Sequence, residues 1–424
     1  MVQGYSTAMK VLLVSANTER INMVSLPLGL GLVAAATRRA GHDVAFVDLL
    51  TSNDSHVATR RAIAVYQPDV IGVSVRNIDD QNRDAPRFLL EAVRDVVLAC
   101  RSATKAPIVL GGAGYSIFAA ETLAYLGADY GIAGDGEQSF PELVDRLARG
   151  EPVAGIPGLH VRGGGSSAAA VAHDLDAFPL WDDALARSAA PDDPGLWIPV
   201  QSRRGCPNDC SYCSTARIQG RAIRARSPAR VVEQVGRLAV MGHRRFFFVD
   251  NSFNIPERHA RELCQRLGEL EPQVMWRCIL YPHLVSEELI RLMAAAGCVE
   301  VSLGFESGSV QILREMNKRY SPEDVRAACD LLKAHGIRRR GFLLLGGPGE
   351  TCDSVEESLA FADSLDLDGL RVTTGIRIYP GTPLARRAVA DGMIASEAEL
   401  LRPKFYLVPE LDGWIQERVA AISR

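Results

Sequence analysis

Three cysteines crowd into eight residues of this 424-residue chain, in the run Arg204-Gly-Cys206-Pro-Asn-Asp-Cys210-Ser-Tyr-Cys213. Three thiolates at C-x3-C-x2-C spacing can hold three irons of a cubane and leave the fourth iron without a protein ligand, open to a small chelating molecule. Zinc is the competing chemistry, because thiolates are good zinc ligands, but a structural zinc site asks for a fourth ligand at typical spacing. No histidine or cysteine follows within 25 residues of Cys213, and the next candidate, His243, lies 30 residues on. The ligand count favours iron and sulfide, with zinc and a chance grouping left open.

The other six cysteines, Cys100, Cys264, Cys278, Cys298, Cys329 and Cys352, stand singly. They read as buried small hydrophobes. An odd count of nine without paired spacing argues against a disulfide scaffold and fits a reducing cytoplasm. With 47 basic and 51 acidic residues the chain has no polyelectrolyte footprint, so nucleic acid is not an expected partner. No apolar run approaches the ~20 residues of a membrane span. Met1 to Lys10 shows no secretory pattern.

The cysteine loop must be carried by elements, and two alternating regions are legible. In the first, strands are expected at Lys10–Ser15, Val44–Leu49, Val70–Val75, Pro107–Leu110 and Tyr130–Ala133. Amphipathic helices are expected at Leu28–Arg39, Ser55–Tyr66, Pro86–Arg101, Ile117–Leu126 and Phe140–Arg149. Such alternation implies right-handed crossovers and a doubly wound parallel sheet, with ligands beyond the carboxyl ends of its strands. Residues 151–195 turn rich in proline, glycine and aspartate, and end in Pro191-Asp192-Asp193-Pro194-Gly195. They read as a linker with a small hairpin around Gly158–Arg162. The second region has strands at Ile198–Ser202, Arg245–Asp250, Val274–Leu280, Glu300–Phe305, Arg339–Leu345 and Leu370–Ile378, with helices between them. Six such units are too few for a closed eight-unit barrel and suit a partial, open (β/α)6 barrel. The expected organisation is α/β: residues 1–150 a Rossmann-like sheet domain, 151–195 a linker, 196–385 the partial barrel, and 386–424 a short tail with a helix and a strand at Phe405–Val408.

Cys206-x3-Cys210-x-Tyr212-Cys213 resembles the signature of the radical S-adenosylmethionine (SAM) superfamily. Four later turns, in order, resemble the same superfamily: Asp250-Asn251-Ser-Phe-Asn254, Gly304-Phe-Glu306-Ser-Gly308, Gly346-Gly-Pro-Gly349-Glu-Thr351 and Tyr379-Pro-Gly381-Thr-Pro383. The resemblance implies a 4Fe-4S cluster on Cys206, Cys210 and Cys213, with SAM chelating the open iron. Tyr212 could then pack on the adenine, or be a core aromatic. Glu306 could accept hydrogen bonds from the SAM ammonium or ribose, or be a solvated turn carboxylate. Asp250 and Asn251 would border the cofactor. Gly346 and Gly347 would let backbone approach it, or serve ordinary turn chemistry. Arg203 and Arg204 could offset the cluster's negative charge, or lie on the surface. Tyr281, His283 and Tyr379, at expected strand ends, are the acid–base candidates.

In the first region the strand ends carry Ser15-Ala-Asn17-Thr18, Ser74-Val-Arg76-Asn77, Gly111-Gly112-Ala-Gly114-Tyr115 and Gly134-Asp-Gly136-Glu137. The first loop lacks G-x-G-x-x-G, which disfavours a nicotinamide cofactor. These loops, with Pro27-Leu-Gly29, resemble the cobalamin-binding domain of the cobalamin-dependent branch of the superfamily, and the resemblance implies that they line a corrin. The D-x-H-x-x-G motif is absent and no histidine occurs between Ser15 and Gly29, so a histidine lower ligand to cobalt is not expected. Arg76 or Asn77 could face that side, or serve the loop itself.

The resemblance implies a C-methyltransferase: a deoxyadenosyl radical removes hydrogen from an unactivated carbon, which then takes methyl from methylcobalamin. Cofactors carry such chemistry while the protein positions them. The alternatives are a cyclisation, ring contraction or oxidation with the same cofactors, a radical SAM enzyme with a vestigial cobalamin domain, and a cobalamin-binding sensor. The substrate could be a small molecule, a lipid or a peptide, and an electron donor such as flavodoxin or ferredoxin is implied.

Overall fold

The computed structural model describes residues 8–20, 26–181, 193 and 195–422. Most of the Met1–Lys10 segment, and Pro191, Asp192 and Pro194 of the linker's closing turn, lie outside the described residues. Contacts divide the chain into two compact units: residues 1–80, 87–190 and 217–220, and residues 81–86, 191–216 and 221–424.

The first unit is built on strands β1 (Lys10–Ser15), β2 (Asp43–Asp48), β3 (Val70–Ser74), β4 (Ile108–Gly111), β5 (Tyr130–Ile132) and β6 (Leu159–Val161), in the order β2-β1-β3-β4-β5-β6. The first five are parallel, and β6 pairs antiparallel with β5. Their near-continuous apolar runs fit strands covered on both faces. Val11 and Leu13 of β1 pack with Leu30 and Ala34 of helix Leu28–Arg39 and with Phe140, Leu143 and Val144 of helix Gly136–Arg149. In the 2-1-3-4-5 order the chain crosses over in opposite directions on the two sides of β1. That opens a crevice beyond the carboxyl ends of β1 and β3.

Three expectations for this unit are corrected. The Gly158–Arg162 hairpin is not free linker: Leu159–Val161 closes the sheet as its sixth strand. The helix expected at Ile117–Leu126 is two, Ala113–Ile117 and Ala119–Leu126, interrupted at Phe118. The helix expected from Pro86 starts at Leu90, because Phe88 is drawn into a bridge with Asp79.

The second unit holds β7 (Ile198–Val200), β8 (Arg203–Arg204), β9 (Arg224–Ala225), β10 (Arg245–Phe248), β11 (Met275–Leu280), β12 (Cys298–Glu306), β13 (Arg338–Leu345), β14 (Gly369–Thr374), β15 (Ile376–Arg377) and β16 (Phe405–Tyr406). The main sheet runs β7-β10-β11-β12-β13-β14, all parallel. Each crossover steps one strand the same way, as in a barrel, and β7 and β14 remain as edges. The expected partial barrel is therefore present. On the face under the helices, Phe248, Phe253 and Trp276 stack within 5.3 Å of one another, and Phe305 meets Phe361 of helix Cys352–Asp363. Capping fixes where these helices start: Thr351 and Ser354 form a reciprocal capping box, as do Ser321 and Asp324. The strand expected at Leu370–Ile378 divides at Gly375, whose φ of +75° turns the chain so that β15 pairs with β16 instead. The tail adds helices Pro383–Ala390 and Trp414–Ile422. None of the described helices is long and apolar enough to cross a membrane.

Candidate active site

The cysteine loop leaves the carboxyl end of β7 and is tied down by a buried carboxylate. Asp250, 1% exposed at the end of β10, accepts from Ser202 N (2.9 Å), Ser202 Oγ (2.5 Å) and Arg203 N (3.1 Å). It was placed by sequence beside the cofactor; its oxygens are instead spent on the residues that launch the loop, so it positions the cysteines. Asn254 does the same one strand on, clamping Tyr281 through Tyr281 N (3.0 Å) and O (2.8 Å). Asn251 lies half-buried between them.

Cys206 and Cys210 are half-buried and Cys213 is exposed. Burial pushes the Cys206 and Cys210 thiols up, Arg203 pulls Cys206 down, and Lys318 pulls down both. Among the described residues no three His, Cys, Asp or Glu side chains converge on a single metal-ion position. A cubane does not need that convergence, since each thiolate takes its own iron. Arg203 is 2% exposed, and its Nε and Nη2 have no hydrogen-bond partner among the described residues. A buried guanidinium with unspent donors beside Cys206 fits an anionic cluster with acceptor sulfurs. Arg204 is also buried, so the surface reading of this pair is excluded.

Beside the loop lies a polar triad from three elements. Tyr212 Oη donates to Glu306 Oε1 (2.8 Å), and Lys318 Nζ donates to Tyr212 Oη (2.9 Å) and Glu306 Oε1 (3.2 Å). The Lys318 side chain is 5% and that of Glu306 14% exposed, so Glu306 is not a solvated turn carboxylate. Burial works against the Lys318 ammonium, but the oxygens of Tyr212, Glu306 and Tyr320 outweigh it and hold its pKa well above the ordinary value. Burial first, then the Glu306 charge, raises the Tyr212 phenol well above its usual range, so the hydroxyl keeps its proton. Glu306 sits at φ +62°, where the β12–β13 register slips. A non-glycine residue held there stores strain that a tight surrounding network must hold. Ser211 N donates to Met316 O (3.0 Å) and Asn317 Nδ2 to Asp209 O (3.0 Å), locking the Lys318 turn onto the cysteine loop. Sequence reasoning missed Lys318, which stands in a turn with no motif around it.

The Gly346–Gly347 turn follows β13. Both N–H groups donate to Glu350 Oε2. A Cβ on Gly346 would lie 2.3 Å from Leu407, and one on Gly347 2.8 Å from Ile376. Their own chain, then, demands glycine here, which is the turn-chemistry reading. Tyr281 Oη accepts from Arg319 N (3.1 Å), its ring packs edge-on to Tyr320, and burial raises its pKa. Tyr379 Oη accepts from Gln81 (2.9 Å). His283 turns instead to Asp324, at 3.8 Å, and none of its contacts among the described residues joins it to the triad.

In the first unit, Ser15 ends β1 and Ser74 ends β3, and Asn17 and Thr18, and Arg76 and Asn77, follow in the loops at those carboxyl ends; Ser15 is buried. Arg76 is half-buried: burial lowers its pKa and the Asp48 carboxylate opposes that. Other expected ligands are taken up by the protein itself. Tyr115 is fully buried, its ring edge-on to His160 and over Gly131, so it is a core residue. A Cβ on Gly112 would lie 2.5 Å from Val75 O, one on Gly114 3.0 Å from Arg76 O, and one on Gly134 2.2 Å from Ala170 O. Gly136 faces Val33, and Glu137 is buried in the first turn of its helix. A Cβ on Gly111 would meet Ile132 O at 3.9 Å, an ordinary van der Waals contact.

Two families match this chain in the expected order: the B12 binding domain over residues 14–144 and the Radical SAM superfamily over residues 200–362. The chain carries a B12-binding domain ahead of a radical SAM domain. An uncharacterized methyltransferase of Pyrococcus horikoshii is 27% identical over 91% of this chain and 84% of its own length. The tryptophan 2-C-methyltransferase of Streptomyces laurentii is 23% identical over 87% of this chain and 73% of its own. In fold, the chain resembles a radical SAM methyltransferase, TsrM, from Kitasatospora setae, solved with cobalamin and a 4Fe-4S cluster bound. The TM-score is 0.86 at 24% identity, covering 98% of this chain and 91% of that one.

Proposed function

We propose that this radical SAM enzyme is a cobalamin-dependent C-methyltransferase acting on an unactivated carbon. The observation that carries the reading is one chain in which a B12-binding domain precedes a radical SAM domain whose three-thiol loop is flanked by the buried cations Arg203 and Lys318. Relatives that are named methyltransferases support it. When bound, the cluster supplies the electron that opens SAM to a carbon radical, and the corrin carries the methyl group.

Cys206, Cys210 and Cys213 would hold the cluster. Arg203 and Lys318 place two fixed positive charges against the thiolates. Tyr212, Glu306 and the Gly346–Gly347 turn would border SAM, and Glu306 enters that role already held by Tyr212 and Lys318. Ser15, Asn17, Thr18, Ser74, Arg76, Asn77 and Gly111 would border the corrin. Tyr281 and Tyr379 stand at strand ends as the acid–base candidates, and burial makes Tyr281 hold its proton more tightly than an ordinary phenol. The nine free cysteines fit a reducing cytoplasm, and a flavodoxin- or ferredoxin-class donor would supply electrons.

The test is anaerobic reconstitution with iron, sulfide and hydroxocobalamin, a visible spectrum, and an assay for deoxyadenosine under reduction. Corrin and cluster bands with deoxyadenosine release are expected, and Cys210→Ala should abolish the cluster band. A cluster without corrin removes methyl transfer through cobalamin. One specific observation favours a second reading: the anaerobic magnesium-protoporphyrin IX monomethyl ester cyclase of Rubrivivax gelatinosus is 27% identical over 79% of this chain. Product mass separates the two, since methylation adds one methyl group and cyclisation none.

A further inference from the structure

Arg203 stands where the cysteine loop begins. β8 pairs antiparallel with β9, with Arg203 opposite Ala225 and Arg204 opposite Arg224, and Arg226 N donates to Ser202 O (2.9 Å). This short ribbon closes the base of the loop that carries Cys206, Cys210 and Cys213. Neighbouring residues of a strand point to opposite sides, so the two arginines part company. Arg204 turns to the protein, its Nε donating to Gln201 Oε1 (2.9 Å). Lys318 is also spent on the protein, through Tyr212 and Glu306.

The Arg203 side chain is used differently. Its backbone N–H goes to Asp250 Oδ1 (3.1 Å), and Asp250 takes its other two bonds from Ser202. The residue is 2% exposed, yet Nε and Nη2 of its guanidinium have no hydrogen-bond partner among the described residues. These two nitrogens form one edge of the guanidinium, where two N–H bonds run parallel and suit a pair of acceptors. A buried charged donor without an acceptor is costly, so two on one edge call for an acceptor from outside the chain. The neighbour toward which they act is Cys206. Burial disfavours the Arg203 charge, Asp250 and then Cys206 oppose that, and Arg203 in return pulls the Cys206 thiol down. Gly205, at φ +88°, turns the chain between the two.

We propose that Arg203 donates from Nε and Nη2 to sulfurs of the 4Fe-4S cluster, and that these N–H···S bonds raise the cluster's reduction potential. Hydrogen bonds to the sulfurs and local charge are among the levers that set such potentials. Reduction passes one electron from the flavodoxin- or ferredoxin-class donor to the cluster; no bond breaks and no proton moves. The added negative charge falls on acceptors that Arg203 already faces, so the reduced form gains more from the bonds than the oxidised one. The proposal rests on the radical SAM reading above and adds the residue that tunes its cluster. The carboxylate of SAM is the competing acceptor for the same edge.

The test is a redox titration of the full-length reconstituted protein without SAM, followed by electron paramagnetic resonance. At a fixed solution potential the ratio of reduced to oxidised cluster should fall about tenfold in Arg203→Gln, which for one electron is about 59 mV. Arg203→Lys keeps the charge but not the two parallel donors, and should fall as well. A Lys variant that titrates like the parent overturns the hydrogen bonds, and an unchanged Gln variant overturns the whole inference. A shift that appears only after SAM is added assigns the edge to the SAM carboxylate and overturns it too. Because Arg203 is buried, a second measurement uses the parent alone: protein labelled with 15N in the arginine guanidiniums, its cluster reduced, and pulsed resonance used to detect 15N coupling. Coupling without SAM is expected, and its absence overturns the proposal; should neither variant take up a cluster, this measurement decides. A parent that forms a cluster without 15N coupling removes this inference and leaves the enzyme class intact. A parent that forms no cluster removes the radical SAM reading and this inference with it.

Discussion

Glu350 offers a quantitative check on how the turn after β13 is held. Its side chain is 3% exposed; Oε2 accepts from Gly346 and Gly347, and Oε1 has no partner among the described residues. Burial raises the carboxyl from 4.5 to about 7, held back by the two N–H donors. At 1.36 kcal/mol per unit that rise is worth roughly 3 kcal/mol. The sign follows from linkage: the folded carboxyl binds its proton more tightly than the unfolded one. Its stabilising contribution is therefore complete below about pH 4.5, declines as pH rises, and is gone above about pH 7. Glu350→Gln stays neutral and keeps an acceptor for the two glycine amides. Unfolding free energies in urea, measured for both proteins at several pH values from 4.5 to 7.5, isolate the effect, because the other carboxylates cancel in the difference. The parent should lose about 3 kcal/mol more than the variant across that range. Parallel stability curves would refute the account of a buried, poorly countered carboxyl.

Lys318→Met removes the ammonium shared by Tyr212 and Glu306 and should destabilise the protein by about 3–5 kcal/mol, as expected when one partner of a buried ion pair is deleted; thermal unfolding of the apoprotein measures it. Asp250→Asn weakens the acceptor that Ser202 N, Ser202 Oγ and Arg203 N share, and should both destabilise the fold by about 1–3 kcal/mol and lower the iron bound after reconstitution, read by metal analysis. Gly112→Ala meets Val75 O at 2.5 Å with φ at +101°, so it should cost more than about 1 kcal/mol in urea unfolding. An unchanged midpoint there would mean that the turn relaxes freely.

Sequence by itself determined what depends on neighbours along the chain. Three thiols in eight residues share one loop whatever the fold does, so the cysteine site was legible at once. Strand–helix alternation was legible because apolar periodicity is local, and the two sheets follow from it, with helix starts set by caps such as Thr351. Sheet strands misjudged at their ends, as at Gly375, were decided by backbone geometry and by pairing with β16. Tertiary structure alone decided how polar residues are spent. Asp250 and Tyr115 look like ligands in sequence, but one ties down the cysteine loop and the other fills the core. Lys318 looks like any turn lysine until the fold carries Tyr212 and Glu306 to it. Glu300 pairs in register with Arg277 on one neighbouring strand and Arg338 on the other, and a one-residue change of register would turn any of them to the other face. Register and burial are properties of packed strands, which is why the spacing of residues along the chain reveals the metal loop and conceals the charges around it.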